Sequence, residues 1–384
     1  MKKTFAVLGA GMQGTAAAYD LAKYANPQAI RMGDVDLHQA EKNSRRVNEL
    51  VGTAFCEPHQ VSALDAAALA KFLTDVDVLI SCVPYWMHPH IAAIAVQTKT
   101  SMVDLGGNTD VTMETLKLDE QAKNAGVTLV PDCGLAPGLV NSLGLWLIEH
   151  LDSCDSVKLY CGVLPQNPKP PFNYKLTFNC EGLVTEYDYQ AVVLRDGEIA
   201  LVDTLTETEA LHIDELGDME AFVTSGGTST APYTLKDRVT NYEYKTIRFP
   251  GHGERMKIFK DFGFWNEEAI DVKGTKIVPK DVFNAVFGPA LSKFVDRDLC
   301  AVRGVATGTK DGSPKRLQVD IFDKECEVTG FTSMERLTGF SVAIYAEAIS
   351  KGEMAVGALR YETAMTGTRF VEELQRRNIP LKFS

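Results

Sequence analysis

Short apolar runs alternate with amphipathic stretches through the first 150 residues of the chain. Continuous apolar runs are typical of strands buried on both faces, and the stretches between them have helical spacing. Predicted strands lie at residues 5–8, 29–33, 76–83, 101–105 and 127–131, with a shorter run at 53–56, and predicted helices at 15–24, 37–50, 65–74, 89–97 and 112–125. This alternation predicts an α/β fold with a Rossmann-type, doubly wound parallel sheet.

The pattern changes beyond Leu151, where longer segments alternate apolar and polar positions. Predicted strands lie at 157–164, 174–179, 187–194, 198–202, 242–248, 300–307 and 317–323, and helices return at 334–350 and 368–377. Turn signals such as Asp196-Gly197 separate several of the strands. We predict a first domain of residues 1–135, completed by returning C-terminal helices within 333–384. A second, α+β domain with a mixed or antiparallel sheet would span residues 136–332.

Three glycines follow the first predicted strand, at Gly9, Gly11 and Gly14. The order strand, glycine turn, helix is that of a dinucleotide-binding turn. In such a turn, the first glycine allows the bend, the second lets the backbone approach a pyrophosphate, and the third lets helix and strand pack closely. The phosphates would lie at the positive end of the helix dipole. We therefore predict that the three glycines, with Met12 and Gln13 between them, bind a cofactor.

An acidic residue, Asp34, stands twenty positions after Gly14, at the end of the second predicted strand. A carboxylate there accepts both ribose hydroxyls of an adenosine and repels a 2′-phosphate, so it favours NAD over NADP. Arg31, Arg45 and Arg46 lie nearby in the sequence and leave NADP as the alternative. An Asp at the end of a strand can also be a plain surface residue.

Composition narrows the classes of partner. The chain has 384 residues and a formal charge of −12, which argues against nucleic acid and anionic membranes as partners. No apolar run reaches the roughly 18 residues of a membrane span. The first apolar run breaks at the glycine turn, so we do not interpret it as a secretory leader. We expect a cytoplasmic homo-oligomer, a dimer or larger, that takes a small-molecule substrate.

Cysteine and histidine spacings give no sign of a disulfide framework or a metal site. The eight cysteines include no CxxC pair, and the seven histidines include no HExxH or comparable motif. We therefore expect reduced thiols and no metal.

Motifs in both predicted domains resemble the saccharopine dehydrogenase-like family. The first domain carries Asp104-Leu105-Gly106-Gly107 and then Val130-Pro131-Asp132-Cys133-Gly134-Leu135-Ala136-Pro137-Gly138. The second carries the motifs at 160–165, 172–174, 224–230 and 244–252. Together they are most similar to the lysine 6-dehydrogenase branch, which oxidises the ε-amine of lysine with NAD. Saccharopine reductases share three of these elements, and carboxynorspermidine dehydrogenases share the architecture.

The resemblance implies oxidative deamination of L-lysine at its ε-carbon, giving a semialdehyde that cyclises. A hydride leaves only from a carbon that bears a neutral amine, so a general base must first take a proton from the ε-ammonium. The alternatives are saccharopine-type or carboxynorspermidine-type chemistry with NAD(P). A nucleotide-binding regulator without catalysis is a further alternative.

Residues after the strand ends are the candidates near the cofactor, because strand carboxyl ends line the ligand crevice of such sheets. Tyr85 and Asp104 are candidates for catalysis, with packing and turn capping as their structural alternatives. Cys133 is more consistent with packing than with a catalytic thiol. The cofactor-binding residues predicted here are Cys82, Val83, Pro84, Asp104, Leu105 and Gly106.

The second domain supplies the candidates for substrate binding. Arg248 is the candidate for the substrate α-carboxylate, because a guanidinium binds a carboxylate with two hydrogen bonds. His252, beside two glycines, is the candidate base or orienting donor. Glu181 is a candidate for orienting an ammonium, and Thr228 lies in a glycine- and hydroxyl-rich run suited to an anion. Tyr174 and Lys175 are carried over from the family motif.

Overall fold

The computed structural model describes residues 2–177 and 180–384, which divide into two compact units. The first unit runs to Glu149 and also contains Ser229–Ala231 and Cys326–Asn378. The second unit contains His150–Thr228, Pro232–Glu325 and Ile379–Ser384. The first unit therefore extends 14 residues beyond the expected boundary at 135. The reason is that the Glu149 carboxylate accepts hydrogen bonds from the amides of Gly367 and Thr368, both at 2.8 Å.

Seven parallel strands form the sheet of the first unit. In spatial order they are Gly357–Ala358, Thr128–Val130, Ser101–Asp104, Val78–Ser81, Thr4–Leu8, Ala29–Asp34 and Cys56–Gln60. Apart from the short strand 357–358, this is the strand order of a doubly wound dinucleotide-binding fold. The predicted α/β fold class is confirmed.

Helices of the first unit alternate with these strands and then return at the C-terminus. They are Met12–Asp20, Leu37–Val51, Ala66–Phe72, His88–Gln97, Thr109–Leu116, Asp119–Ala125, Val140–Glu149, Ser333–Ser350, Tyr361–Ala364 and Gly367–Arg376. Two short irregular helical segments, Leu21–Ala25 and Leu135–Leu139, extend or precede neighbouring helices, and a single turn spans Tyr85–Met87. The predicted helix 112–125 is in fact two helices, of which the first is capped by Asn108.

A buried ion cluster joins the first helix to the C-terminal helices of the first unit. The Arg377 guanidinium donates to both carboxylate oxygens of Asp20, at 2.7 and 2.8 Å, and to Glu347 and Glu373. Burial raises the pKa of Asp20 to about 6 although Arg377 opposes the shift. Removing one member of a buried ionic cluster leaves an uncompensated charge, so the packing of the C-terminal helices on the first helix depends on Arg377.

The second unit contains a nine-stranded mixed sheet and four helices among its described residues. Its strands are Ser153–Pro165, Gln190–Arg195, Glu198–Asp203, Glu209–Ile213, Gly217–Val223, Val239–Arg248, Asp298–Lys310, Ser313–Lys324 and Leu381–Phe383, and a separate hairpin pairs Ile270–Val272 with Thr275–Ile277. Its helices are Cys180–Asp188, Ala231–Leu235, His252–Asp261 and Pro279–Ser292. Strand 153–165 pairs parallel with 239–248 and antiparallel with 298–310, so the sheet is mixed, as predicted.

Two strand predictions in the second unit are wrong. Residues 174–177 form no strand, and residues 178–179 of that prediction lie outside the described residues. The predicted strand 187–194 begins as the end of helix Cys180–Asp188 and becomes strand only at Gln190. Lys260 donates to the carbonyls of Tyr187 and Asp188, both at 3.1 Å, and thereby satisfies the end of this helix from a distant segment. Across the described ranges, no helix is long and apolar enough to cross a membrane.

Candidate cofactor and substrate sites

The glycine turn of the first unit has the geometry that its three glycines require. Gly9 has φ +95°, and a Cβ there would lie 2.7 Å from the carbonyl oxygen of Cys82. A Cβ on Gly14 would collide with the carbonyl oxygen of Gly9, whereas nothing lies within 4 Å of a Cβ built on Gly11. Gly9 and Gly14 therefore serve the packing of the turn, and Gly11 leaves open space for a ligand to approach the backbone.

Helix Met12–Asp20 begins in this turn and has no side-chain cap. Its first amides are therefore donors without an intrahelical partner, at the positive end of the helix dipole. The Gln13 Oε1 atom is buried without a hydrogen-bond partner, and Met12 is half exposed. An uncapped helix start beside open backbone fits the pyrophosphate of a dinucleotide.

Asp34 connects the second strand to the glycine turn. Its Oδ2 accepts a hydrogen bond from the Ala10 amide at 2.9 Å, and its Oδ1 accepts one from the Asp36 amide at 3.0 Å. Each carboxylate oxygen accepts two hydrogen bonds, so acceptor positions remain for ribose hydroxyls. The predicted acidic residue therefore lies against the turn.

Residues 82–85 follow the strand Val78–Ser81 and border the same turn. The backbone of Cys82 and the side chain of Val83 lie against Gly9, and burial raises the pKa of the Cys82 thiol. Pro84 is exposed and precedes the helical turn that begins with Tyr85. The Tyr85 side chain is half-buried and packs against Gly107. A Cβ built on Gly107 would lie only 3.1 Å from the Cβ of Tyr85.

Asp104 joins two loops at the strand ends. Its Oδ1 accepts hydrogen bonds from the Gly106 amide at 2.8 Å and the Asp132 amide at 3.1 Å. The carbonyl of Leu105, the residue between Asp104 and Gly106, lies against Gly134. Nε2 of the buried His88 lies 3.9 Å from Oδ1 of Asp104, and burial lowers the pKa of this imidazole. The geometry therefore gives Asp104 the turn-capping role that was its structural alternative.

Asp132 is a candidate catalytic residue that the sequence did not single out. Its Oδ2 accepts hydrogen bonds from Thr112 Oγ1, at 2.8 Å, and from Ser229 Oγ, while its Oδ1 is buried with no hydrogen-bond partner. Burial and then the Asp104 carboxylate raise the pKa of Asp132 to about 7. Its position directly after a strand was the one signal that the sequence offered. Nothing in the sequence indicated the contact with Ser229, which is 97 residues away.

Cys133, the next residue, is not suited to act as a nucleophile. It is fully buried, its thiol lies 3.3 Å from the Val130 carbonyl, and burial holds its pKa well above the usual range. A thiol reacts as thiolate, so Cys133 is a packing residue.

Arg248 is the centre of the candidate substrate site in the second unit. Its guanidinium is buried and donates through Nε to Tyr187 Oη at 2.9 Å and through Nη1 to the Ile247 carbonyl at 3.0 Å. The Tyr174 ring lies under it, 4.9 Å from the central carbon. Within the described ranges, Nη2 makes no hydrogen bond. A buried guanidinium with spare N–H donors can bind a ligand carboxylate by donating hydrogen bonds to it.

His252 anchors a chain of hydrogen bonds that ends at Arg248. Tyr187 Oη lies 3.1 Å from His252 Nε2, and His252 Nδ1 lies 3.3 Å from the Phe172 carbonyl. Since the Phe172 carbonyl can only accept, the proton of the neutral imidazole resides on Nδ1, and Nε2 accepts a hydrogen bond from the tyrosine hydroxyl. Burial and Arg248 lower the pKa of His252 to about 3, so this imidazole is neutral and orients Tyr187.

Glu186 faces the same guanidinium and was also missed. Its Oε2 lies 3.7 Å from Nη2 of Arg248. Partial removal from water raises the pKa of this carboxyl to about 7, although Arg248 opposes the shift and a third of the side chain stays exposed. The sequence prediction had selected Glu181, which lies five residues earlier on the same helix and is exposed.

The structure brings Tyr174, Arg248 and His252 together, but it does not place the other three predicted substrate residues with them. The Lys175 ammonium donates to the Asp296 carbonyl, and Thr228 Oγ1 donates to the Val192 carbonyl at 2.7 Å. Glu181 projects to solvent from the first turn of its helix. The Lys175 ammonium and the Thr228 hydroxyl therefore bind backbone carbonyls of the second unit and do not face Arg248.

Two family models together match most of the chain. The model of the saccharopine dehydrogenase NADP binding domain matches residues 5–130, and that of the saccharopine dehydrogenase C-terminal domain matches residues 134–379. Saccharopine dehydrogenase [NADP(+), L-glutamate-forming] of Saccharomyces cerevisiae is 25% identical over 264 residues, which cover 66% of this chain and 58% of that protein. Alpha-aminoadipic semialdehyde synthase of Arabidopsis thaliana is 25% identical over 259 residues, covering 64% of this chain and 24% of that protein. The chain thus spans less than two thirds of the length of these curated relatives.

Solved structures share the fold over the whole chain. Apo saccharopine dehydrogenase (L-Glu forming) from Saccharomyces cerevisiae superposes with a TM-score of 0.78 at 20% identity, covering 100% of this chain and 99% of that one. The homospermidine synthase of Legionella pneumophila, solved in complex with NAD, superposes with a TM-score of 0.67 at 12% identity, covering 100% and 91%.

Proposed function

The chain belongs to the saccharopine dehydrogenase family, a family of NAD(P)-dependent oxidoreductases, and on that premise we propose that it oxidises the ε-amine of L-lysine with NAD. The ε-ammonium first loses a proton, and the ε-carbon then loses a hydride to leave an iminium ion, which gives the imine on losing a second proton. Water adds to the imine and ammonia leaves, giving the 6-semialdehyde. Condensation of the aldehyde with the α-amine releases water and closes the piperideine-6-carboxylate ring. Bound NAD supplies the hydride acceptor.

The observation that carries this proposal is the buried guanidinium of Arg248 with its unused Nη2 donors. A lysine substrate brings one carboxylate, which one such guanidinium neutralises with two hydrogen bonds. The Tyr187–His252 chain fixes the guanidinium in place, so little order is lost when a ligand binds.

Saccharopine is the second candidate substrate, and one observation favours it. Saccharopine carries three carboxylates and therefore calls for further basic groups. Arg255 lies in the first turn of helix His252–Asp261, beside Gly251, and its Nη1 atom is buried without a hydrogen-bond partner. A second guanidinium with a spare donor would suit a substrate with more than one carboxylate.

We assign cofactor binding to the first unit and substrate binding to the second. Gly11, the uncapped helix start and Asp34 would hold the pyrophosphate and the adenosine ribose. The carboxylate of Asp34 supports NAD as the preferred coenzyme, although the matching family description names NADP. Tyr85 stays a candidate contact of the nicotinamide. The expectations of a cytoplasmic homo-oligomer belong to this proposal as well.

We assign proton acceptance from the ε-ammonium to Asp132. A general base works best with a pKa near the operating pH, and Asp132 has a pKa of about 7 and an unpaired Oδ1. Asp104 holds the Asp132 backbone and is therefore a positioning residue. His252 is neutral with both ring nitrogens engaged, so its assigned role is to orient Tyr187 rather than to act as the base.

Formation of reduced nicotinamide tests the proposal when L-lysine, saccharopine and carboxynorspermidine are each offered with NAD and with NADP. Turnover with L-lysine and NAD is the expected result. Turnover with saccharopine alone would replace lysine by the second candidate. Binding of NAD without turnover of any amine would indicate a regulator.

A further inference from the structure

Glu186 and Arg248 face each other without a direct hydrogen bond. The 3.7 Å between Oε2 and Nη2 exceeds the distance of a hydrogen-bonded ion pair. Within the part of the chain that the structure describes, the Glu186 carboxylate makes no hydrogen bond. The Arg248 side chain is 5% exposed and that of Glu186 is 34% exposed. A ligand can therefore approach the pair through the exposed part of Glu186.

The backbone that carries Glu186 is held firmly. The Ser225 amide donates to the Glu186 carbonyl at 2.9 Å, and Ser225 Oγ donates to the Thr185 carbonyl at 2.8 Å. The next residue, Tyr187, is fixed through its hydroxyl by Arg248 and His252. Glu186 therefore presents its carboxylate from a rigid helix end, which favours recognition of a ligand over adaptable surface contact.

We propose, building on the function proposed above, that Glu186 binds the α-ammonium of the amino-acid substrate while Arg248 binds its α-carboxylate. An α-amino acid carries a cation and an anion on one carbon. A carboxylate and a guanidinium that face each other without pairing complement both charges at once. The pair would thereby select an α-amino-acid end group over a diamine, which lacks the carboxylate, and over an ω-amino acid, which lacks the α-amine.

Calorimetric binding of L-norleucine and hexanoate tests this assignment without depending on turnover. L-norleucine carries the α-amino-acid group and an apolar chain with no ε-amine, and hexanoate lacks the α-ammonium as well. In E186Q, which keeps the shape but removes the charge, we expect the Kd of L-norleucine to rise about tenfold to a hundredfold. The Kd of hexanoate should stay level or fall, because the same change removes a negative charge that repels the ligand carboxylate. E181Q, an exposed glutamate on the same helix, is the matched control and should change neither.

The pH dependence gives a second readout that a purely structural role would not move. Arg248 is the charged group that faces Glu186, and the hydroxyls of Tyr174, Tyr187 and Tyr244 are the other titratable groups near it. The L-norleucine amine stays protonated between about pH 5.5 and 8.5. Over that interval we expect its Kd to fall as pH rises through about 7 in the wild-type enzyme, and to stay flat in E186Q.

Several results would overturn the assignment. Equal loss of both ligands in E186Q would show a general structural effect, and no loss of L-norleucine would remove Glu186 from the site. E186D, which keeps the charge on a shorter stem, should bind L-norleucine more tightly than E186Q, and equal weakness would count against the charge. If the wild-type enzyme binds L-norleucine in this pattern but does not oxidise L-lysine, the proposed reaction is wrong and the assignment of Glu186 stands.

Discussion

Oδ2 of Asp34 accepts a hydrogen bond from the amide of Ala10 at 2.9 Å, which fixes the end of the second strand to the glycine turn. The same carboxylate also accepts a hydrogen bond from the Asp36 amide, and each of its oxygens can accept one more. Under the proposed function, this one residue shapes the cofactor site and carries the charge that distinguishes the two nicotinamide coenzymes.

Replacing Asp34 by Asn should shift the coenzyme preference toward NADP. The amide keeps an acceptor for the backbone but loses the charge that repels a 2′-phosphate. We expect the ratio of kcat/KM for NAD to that for NADP to fall at least about tenfold, a free-energy change of about 1.4 kcal/mol. D36N, which alters the neighbouring helix cap, serves as the control. An unchanged ratio in D34N would mean that Asp34 does not contact the ribose.

Replacing Arg248 by Lys should weaken substrate binding more than turnover. An ammonium is a point charge and cannot form the two parallel hydrogen bonds of a guanidinium. We expect the KM for the amino-acid substrate to rise about tenfold to a hundredfold, with kcat within about threefold. Arg316, an exposed arginine of the second unit, gives the control variant R316K. A fall in kcat at unchanged KM would exclude Arg248 from ground-state carboxylate binding.

Substitution of Asp132 should change the pH profile of kcat at saturating substrate. Protonated Asp132 cannot accept a proton, so wild-type kcat should fall below about pH 7. D132N should lose about a hundredfold or more and should lack this pH limb. The Ser229 hydrogen bond stabilises the charged carboxylate, so S229A should move the limb to higher pH. A full pH limb in D132N would assign the base to another group.

The buried ion cluster predicts a stability effect that depends on pH. R377M leaves the carboxylates of Asp20, Glu347 and Glu373 without their main partner, and we expect a loss of about 3–5 kcal/mol in the free energy of unfolding. These buried carboxyls would then have pKa values above those of the unfolded chain. Protonation relieves the penalty, so the loss should be smaller at pH 5 than at pH 8. R376M, at a partly exposed neighbour, should cost at most about 1 kcal/mol. Chemical denaturation at the two pH values measures both variants.

Local patterns in the sequence predicted the parts of this molecule that depend on neighbouring residues. The alternation of strands and helices predicted the parallel sheet. The spacing of Asp34 from the glycine turn predicted that its carboxylate lies beside that turn. Arg248 ends a strand and His252 begins the next helix, so the motif that carries both residues also places them in one hydrogen-bond chain through Tyr187.

The remaining parts depend on side chains that meet from distant segments. Ser229 reaches Asp132 across 97 residues, and Lys175 is drawn to a carbonyl 121 residues away. Glu181 and Glu186 are chemically identical in the sequence, and only the direction of the helix decides which of them faces Arg248. Such pairings leave no periodic trace, since their partners can stand anywhere in the chain.

The most direct test of the proposed reaction uses L-lysine deuterated at its ε-carbon together with NAD. We predict that one deuterium per turnover appears on the reduced nicotinamide, with release of one ammonia and formation of the cyclic imine. If ε-deuterated lysine yields no reduced nicotinamide while saccharopine does, lysine ε-oxidation is not the reaction of this enzyme.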